Sequence, residues 1–268
     1  MYKSIQLLLF VFIAAMILVA CSEDTSSANS TDNNTDLVMD RIQKQDQITF
    51  GVKVDTRLFG LKNTSTGEIE GFDIDIAKAI AKEILGDENK VKFVEVNTKT
   101  RIPLLENDEI DAIIATMVIT DERKKVIDFS DPYFEGGQSL LVKKGSEITG
   151  IDDLEGKKVI TVKGATSGDL IREKVSDVQV LEFDTYFDAF SALKSGQGDT
   201  LTTDDAILYG MADEDPNYTL IGETLTNDFY GIGVKKGNEE FVEAINGVLE
   251  KLVETGEYDE IFNKWIKR

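Results

Sequence analysis

Residues 47–96 read QITFGVKVDTRLFGLKNTSTGEIEGFDIDIAKAIAKEILGDENKVKFVEV, and this stretch decides the fold. Its first strand is predicted by apolar residues at every second position, namely Ile48, Phe50, Val52 and Val54. A helix is predicted to follow, with Asp73 as its cap, Gly86 at its end and apolar residues four apart at Ile76, Ile80 and Ile84. Residues 91–96 predict a second strand. A strand, a helix and a strand in this order indicate parallel strands covered by a helix.

The same alternation continues to the C-terminus. Further strands are predicted at residues 111–116, 158–162 and 199–203, and helices at residues 186–195 and 238–268. The helix at 186–195 is expected to pack Phe187, Phe190 and Leu193, and Gly256 is expected to divide the last segment into two helices. The chain is therefore predicted to be an α/β protein with mainly parallel sheets flanked by helices.

Polar and charged residues follow the predicted strands at one edge of the sheets. They are Lys53, Arg101, the segment 116–123, the segment 163–167 and Asp204. In open parallel sheets, ligands bind outside the carboxyl ends of the strands. Four of these five clusters contain Lys or Arg, although the chain has 50 acidic and only 29 basic residues. This concentration of basic residues predicts a ligand with an anionic group.

The composition excludes several functional classes. The 268 residues carry a formal net charge of −21, which argues against a nucleic-acid partner because phosphates require basic patches. The chain has no His and one Cys, so His-dependent triads, the usual zinc sites and internal disulfides are excluded. We therefore expect neither a metal nor a cofactor. The length suffices for one large domain or two smaller lobes.

The N-terminus has the pattern of an export signal. Residues 1–20 contain Lys3 and then an apolar run of fourteen residues from Leu7 to Ala20, short of the roughly 20 that a spanning helix needs. Cys21 follows small residues and resembles the lipidated cysteine of bacterial lipoproteins, which predicts a signal peptide at 1–20. The polar residues that follow predict a disordered tether at 21–46. The resemblance implies a protein that is lipid-anchored through Cys21 to the outer face of the bacterial cell membrane.

Three of the polar positions have two interpretations each when they are considered alone. The small-residue turn at 163–168 can hold an anion at a helix start or merely connect two elements. Arg123 is either a bidentate partner for a carboxylate or a solvated charge on a helix. Asp204 either caps a helix or holds an ammonium group.

Four motifs resemble the extracellular solute-binding proteins of polar amino-acid ABC importers. These motifs are GFDID at 71–75, ITDERKK at 119–125, DFSDPY at 128–133 and YGIGVKK at 230–236, and the resemblance covers about residues 47–268. It implies a two-lobe periplasmic-binding-protein-like fold of type II, in which each lobe is a mainly parallel sheet flanked by helices. The first lobe would comprise 47–140 plus 230–268, and the second would comprise 141–229. The two hinge crossings would lie near 140–143 and 229–233.

The resemblance also implies roles for individual residues. Arg123 matches the arginine that grips the α-carboxylate of the ligand, and Asp204 matches the carboxylate that receives the α-ammonium. The remaining implied contacts are the backbone N–H of Val118, the turn that contains Lys163, Thr166 and Ser167, and three contacts to the ligand side chain from Lys53, Arg101 and Thr116. A zwitterion held by opposite charges from both lobes would tie the lobes together.

The identity of the ligand side chain stays open between three amino acids. Residues 98–105 and 51–53 are similar to the glutamate/aspartate-binding branch, whereas residues 55–60 look like Gram-positive proteins that are usually called glutamine-binding. If Lys53 and Arg101 both face the pocket, a neutral amide leaves buried charge unpaired, at a cost of roughly 2–5 kcal/mol. If an acid such as Asp55 neutralises them, the pocket accepts glutamine. The order predicted from sequence is glutamate, then glutamine, then aspartate.

The sequence thus predicts a binding subunit that captures a free L-amino acid and delivers it to the membrane permease of an ABC importer. We expect a monomer without enzymatic activity, which closes its lobes on the ligand. Two alternatives are a cleft enzyme of the same fold, similar to dehydratases, and a ligand-sensing surface lipoprotein. The absence of His and Cys from the predicted cleft weakens the enzyme hypothesis.

Overall fold

The computed structural model describes residues 38–266. The predicted signal peptide at 1–20, Cys21 and the first part of the predicted tether lie outside these residues. Within residues 38–266, no helix is long and apolar enough to cross a membrane.

Fifteen strands are present in the described part of the chain. They are β1 (Ile48–Val52), β2 (Asp55–Thr56), β3 (Gly60–Lys62), β4 (Ile69–Glu70), β5 (Val91–Glu95), β6 (Ala112–Ile113), β7 (Ile127–Phe129), β8 (Phe134–Gly136), β9 (Gln138–Lys143), β10 (Lys158–Val162), β11 (Gln179–Phe183), β12 (Thr200–Asp204), β13 (Tyr218–Ile221), β14 (Asp228–Tyr230) and β15 (Gly233–Lys235). Two five-stranded sheets dominate, with strand orders β5-β1-β6-β15-β7 and β11-β10-β12-β9-β13. In each sheet the first three strands are parallel and the last two are antiparallel to their neighbours. The prediction of an α/β fold with sheets flanked by helices is confirmed, but the sheets are mixed, because two of the four strand pairings in each are antiparallel.

Nine α-helices are present among residues 38–266. They are α1 (Val38–Gln45), α2 (Phe72–Leu85), α3 (Arg101–Glu106), α4 (Asp121–Lys124), α5 (Thr166–Lys174), α6 (Tyr186–Lys194), α7 (Asp205–Glu214), α8 (Glu239–Thr255) and α9 (Glu257–Trp265), and a short 3₁₀ helix spans Ile151–Leu154. Gly256 separates α8 from α9 with φ of 80°, as predicted for the break between the last two helices.

A short antiparallel pair connects the two large sheets. It consists of β8 and β14, in which Phe134 pairs with Tyr230 and Gly136 pairs with Asp228. The crossing predicted near 140–143 is wrong, because these residues belong to β9 and hydrogen-bond to β12 and β13 within the second sheet. The lobe boundary predicted between 140 and 141 therefore falls inside a strand that begins at Gln138.

The predicted tether at 21–46 is wrong for its last residues, because α1 occupies Val38–Gln45. Val38 and Ile42 lie four residues apart and are both buried, which gives this short helix one apolar face. The Arg41 guanidinium anchors the helix through a hydrogen bond of 2.7 Å to Asp111. The helix is stable here because it packs against α8 and joins the large apolar core, a contact that the local composition does not reveal.

The start of α2 differs from the prediction. Gly71 occupies the cap position without a side-chain cap, and Asp73 lies inside the helix with no solvent exposure. The predicted apolar face is confirmed at Ile76 and Ile80, which are fully buried. In α6, Phe190 and Leu193 are buried as predicted, but Phe187 is 67% exposed because it lies one position off the buried face.

Gly71 provides the first testable prediction. Its φ is 148°, and an added Cβ would lie 2.1 Å from the carbonyl oxygen of Phe59. Gly71→Ala therefore combines backbone strain with a clash against backbone, and we expect it to lower the free energy of unfolding by at least about 2 kcal/mol. Urea denaturation followed by circular dichroism measures this change.

Gly86→Ala is the matched control at the other end of the same helix. Gly86 has φ of 78°, and an added Cβ there would meet nothing within 4 Å. We expect a loss of about 1 kcal/mol from strain alone. Equal losses in the two variants would show that the contact with Phe59 is unimportant.

Candidate functional site

The two sheets enclose a cluster of polar side chains near the ends of their strands. Lys53 follows β1, Arg101 opens α3 after β5, Thr116 follows β6, and Asp204 is the last residue of β12. Each of the four is at most 4% exposed. We call this group, together with Asp73 and Gln138, the central polar cluster. Residues that are distant in sequence meet here because strands β1, β5 and β6 end at one edge of their sheet.

Lys53 is 2% exposed, unlike a surface lysine at a strand end. Its Nζ donates a hydrogen bond of 2.7 Å to Thr98 Oγ1 and lies 4.1 Å from the centre of the Tyr186 ring. Burial lowers the pKa of Lys53 to about 7, and the negative charge of Asp55 opposes this effect. Asp55 in turn accepts a hydrogen bond of 2.8 Å from the backbone N–H of Tyr186, at the start of α6.

Arg101 hydrogen-bonds to the segment that follows β6. Its Nη1 donates hydrogen bonds of 2.6 Å to the carbonyl of Ala115 and 3.4 Å to that of Thr116. Burial lowers the pKa of Arg101 to about 9, and the charge of Arg123 lowers it further. The two backbone carbonyls thus compensate only part of the charge of the buried guanidinium.

Thr116 has φ of 47°, which is unusual for a residue with a branched side chain. Its backbone N–H donates a hydrogen bond of 3.0 Å to Asp73 Oδ2, while the Tyr133 hydroxyl donates one of 2.9 Å to Asp73 Oδ1. Burial raises the pKa of Asp73 to about 7, and these two hydrogen bonds oppose that effect. Asp73 therefore stabilises the strained backbone of Thr116.

Arg123 lies in the single turn of α4, which Thr120 caps through a hydrogen bond of 3.2 Å to the Arg123 N–H. Its Nη1 donates 2.6 Å to the carbonyl of Val118, and its Nη2 donates 3.1 Å to the carbonyl of Gly164 on the other sheet's turn. Burial lowers the pKa of Arg123, and the charge of Asp204 opposes this effect. The guanidinium is thus oriented by both sheets beside a cavity of about 510 Å³, which Thr166 and Asp228 also line.

Asp204 accepts a hydrogen bond of 3.1 Å from Gln138 Nε2, which also contacts Thr166 Oγ1 and Asp228 Oδ2 at 3.2 Å each. Burial raises the pKa of Asp204 to about 7, and the neighbouring charge of Asp228 raises it further. The nearby Tyr230 hydroxyl lowers the pKa of Asp204, although the two groups form no hydrogen bond of normal geometry. An ionised Asp204 would gain most from a cationic partner.

Two predicted positions, Lys163 and Ser167, lie differently from the rest. Lys163 points away from the cluster, because its Nζ pairs with Asp184 at 2.8 Å and its side chain is 42% exposed. The Ser167 hydroxyl is buried but hydrogen-bonds to Thr161 Oγ1 at 2.6 Å, so it is already occupied. Arg57 lies at the rim, where it pairs with Asp213 at 2.9 Å.

Sequence reasoning missed several members of the site. The sequence pattern predicts Asp73 as a helix cap and indicates no role for Tyr133, Gln138, Tyr186 or Tyr230. Their only sequence signal is position, since Tyr133 and Tyr230 lie in the motifs at 128–133 and 230–236. Single-sequence patterns do not show which side of a strand meets the opposite sheet.

Four buried side-chain polar atoms have no hydrogen-bond partner among the described residues: Arg101 Nε, Thr116 Oγ1, Gln138 Oε1 and Tyr230 Oη. Buried polar groups are nearly always paired, so a concentration of unpaired ones requires an explanation. All four belong to the central polar cluster or contact it. The residues between 38 and 266 form no group of His, Cys, Asp or Glu that could hold a metal ion.

Comparison with known proteins gives close relatives. The chain is 58% identical to the ABC transporter glutamine-binding protein GlnH of Bacillus subtilis (strain 168), over 100% of this chain and 98% of the relative. It is 51% identical to the glutamine-binding protein of Geobacillus stearothermophilus, over 90% of this chain and 95% of that protein. Among solved structures, an ancestral arginine-binding protein bound to glutamine is 43% identical, with a TM-score of 0.78 over 83% of this chain and 98% of the other.

The family assignment rests on most of the chain. The model of the bacterial extracellular solute-binding proteins, family 3, matches residues 48–268, which include both large sheets and the central polar cluster. The family resemblance noted from the sequence motifs is thereby confirmed. The chain belongs to the bacterial extracellular solute-binding proteins, family 3.

Proposed function

We propose that the chain is the substrate-binding subunit of an ABC amino-acid importer and that it captures glutamine in the central polar cluster. The four unpaired buried polar atoms carry this proposal, because a small polar ligand would supply their missing partners. The names of the two glutamine-binding relatives and the glutamine-bound ancestral structure support the choice of ligand.

The charges at the two sides of the cluster suit an α-amino acid. Arg123 is a planar cation held by the carbonyl of Val118, which fits the α-carboxylate, and Val118 and Thr166 line the same cavity. Asp204 is a buried acid that forms no ion pair within the described part of the chain, which fits the α-ammonium. Since these two groups come from different sheets, one zwitterion would tie the sheets together.

The side-chain end of the pocket favours a neutral amide. Three cations contribute to the site, Lys53, Arg101 and Arg123, and four acids already face them, Asp55, Asp73, Asp204 and Asp228. Glutamine adds no net charge to this balance, whereas glutamate adds one buried negative charge. We therefore place glutamine ahead of glutamate, the reverse of the order inferred from sequence. Arg101 Nε and Thr116 Oγ1 remain available to an amide oxygen and an amide N–H, respectively.

The wider mechanism is part of the same proposal. Two lobes built on the two large sheets would close on the ligand about the β8–β14 pair, and the closed monomer would dock on a membrane permease. Ligand contacts from both lobes would shift the population toward the closed form. Lipidation of Cys21 would hold the protein at the outer face of the membrane.

Calorimetric titration with glutamine, glutamate and aspartate tests the ligand choice. We expect protein freed of carried-over ligand to bind glutamine at least about 30-fold more tightly than glutamate, because unpaired buried charge costs 2 kcal/mol or more. Aspartate is expected to bind more weakly than glutamine for the same reason. Tighter binding of glutamate would contradict the charge balance described above, and no heat with any of the three would contradict the ligand class.

Arg123→Ala is expected to abolish measurable glutamine binding while the thermal unfolding midpoint stays near that of the wild type. The reason is that the variant loses the cation for the α-carboxylate, although its side chain is partly exposed and stabilises the fold little. Lys163→Ala is the control, because this lysine pairs with Asp184 and points away from the cluster. Similar effects of the two variants would argue against Arg123 as a ligand contact.

Asp204→Asn keeps the shape of the side chain and removes its charge. We expect glutamine affinity to fall by at least about 30-fold, because the ligand ammonium loses its buried counter-charge. Asp199→Asn is the matched control just before the same strand, where Asp199 accepts a hydrogen bond of 2.7 Å from the Lys158 N–H. Unchanged affinity in Asp204→Asn would place the ammonium elsewhere.

A further inference from the structure

Gly210 lies in the middle of α7, at a position where the helix itself gains nothing from a glycine. The residue is buried and its backbone is helical. A glycine inside a helix lowers helix stability relative to alanine, because the unfolded chain has more conformational freedom to lose. A buried glycine at such a position therefore points to a neighbour that uses the space of the missing side chain.

That neighbour is the backbone of Arg57, in the turn at residues 56–59, which we call the Arg57 turn. A Cβ added to Gly210 would lie 3.0 Å from the carbonyl oxygen of Arg57 and 3.2 Å from its Cβ. Both distances are shorter than an optimal van der Waals contact. Helix α7 packs on β9, β12 and β13 of the second sheet, whereas the Arg57 turn is hydrogen-bonded to α2, which packs on β1 of the first sheet. The contact therefore joins the two sides of the molecule.

The Arg57 turn is fixed on its own side. Leu58 has φ of 76°, which is uncommon for a residue other than glycine, and its carbonyl accepts a hydrogen bond of 2.7 Å from the backbone N–H of Phe72. The carbonyl of Thr56 accepts one of 3.2 Å from the N–H of Phe59. Strained backbone persists where the surrounding structure fixes it. The carbonyl of Arg57 is thus held between two hydrogen-bonded neighbours and has little room to retreat.

An ion pair accompanies this close approach. Arg57 Nε and Nη2 lie 3.0 and 2.9 Å from Oδ2 of Asp213, which follows Gly210 by three residues on α7. The two side chains are 42% and 66% exposed, so water screens their attraction. The pair aligns the Arg57 turn with α7 and contributes little attraction, which leaves the space at Gly210 as the stronger constraint on how closely the two sides approach.

We propose that Gly210 is a positioning residue for ligand capture: the missing side chain lets the Arg57 turn approach α7, and this approach lets the two lobes close on the ligand. The inference rests on the lobe closure proposed above and deepens it. Gly210 acts through the distance between the lobes and not through contact with the ligand. A larger side chain at this position would hold the lobes apart and weaken the binding of glutamine.

Gly210→Leu is the main test, and Gly210→Ala is the smaller step. Both new residues favour a helix, so we expect the ligand-free variants to unfold at the wild-type temperature or above it. Calorimetry is expected to show glutamine affinity lower by at least about 30-fold in Gly210→Leu and by about fivefold in Gly210→Ala, because the fixed turn resists overpacking. Wild-type affinity in a folded Gly210→Leu variant would overturn the proposal. If that variant does not fold, wild-type affinity in Gly210→Ala does so.

Small-angle X-ray scattering measures the closure itself. We expect saturating glutamine to reduce the radius of gyration of the wild type. Gly210→Leu at saturating glutamine is expected to keep a larger radius than the liganded wild type. A variant with weakened affinity that still reaches the liganded wild-type radius would show that Gly210 acts on the pocket and not on the distance between the lobes, which contradicts the proposal.

Two controls separate the close approach from helix stability and from charge. Gly247→Ala makes the same change inside α8, where an added Cβ would meet nothing within 4 Å, and we expect a more stable protein with unchanged glutamine affinity. Arg57→Ala removes the ion pair and keeps the carbonyl that faces Gly210. Because the pair is exposed, affinity is expected to stay within about fivefold of the wild type. A loss as large as that of Gly210→Leu would assign closure to the ion pair and contradict the role of Gly210.

The outcomes separate the two levels of inference. A wild-type protein that does not bind glutamine refutes the proposed function. A wild type that binds glutamine and contracts on binding, together with Gly210 variants that do the same with unchanged affinity, refutes only the role of Gly210.

Discussion

The structure depends on one constraint, which is that charges removed from water must find compensation inside the protein. Lys53, Asp73, Arg101 and Asp204 are all buried between the two large sheets. Backbone carbonyls, hydroxyl groups and opposite charges compensate them, but within residues 38–266 four buried polar atoms have no hydrogen-bond partner. All four belong to the central polar cluster or contact it, and under the proposed function a polar ligand would supply their missing partners.

An aromatic group packs beside the central polar cluster. Phe59, Phe72, Phe134 and Tyr230 form an aromatic group with ring centres 5.1–6.1 Å apart, and it packs α2 against the connecting strands β8 and β14. Tyr230 thus belongs to the core through its ring and to the polar cluster through its hydroxyl. A connection built in this way fixes the position of the polar groups while its two strands join the sheets.

Three further contacts join segments that belong to the two different sheets. The Asp55 carboxylate lies at the N-terminus of α6, Arg123 reaches the carbonyl of Gly164, and Arg57 pairs with Asp213 at the rim. The exposed Arg57 pair contributes little by itself, since surface ion pairs are screened by water. The more buried contacts come from residues that also define the pocket, so ligand capture and lobe closure would share the same groups.

The sequence by itself determined the alternation of strands and helices, the family, and most positions at which charged groups follow strands, because periodicity and motif order are local properties. It also predicted Lys53, Arg101, Arg123 and Asp204 as ligand contacts. Only the tertiary structure decided that 38–45 is a helix, that Lys163 turns to Asp184, and that Asp73 is buried rather than a cap. Each of these depends on what a residue meets across the sheets, since burial and charge compensation arise between segments that are distant in sequence.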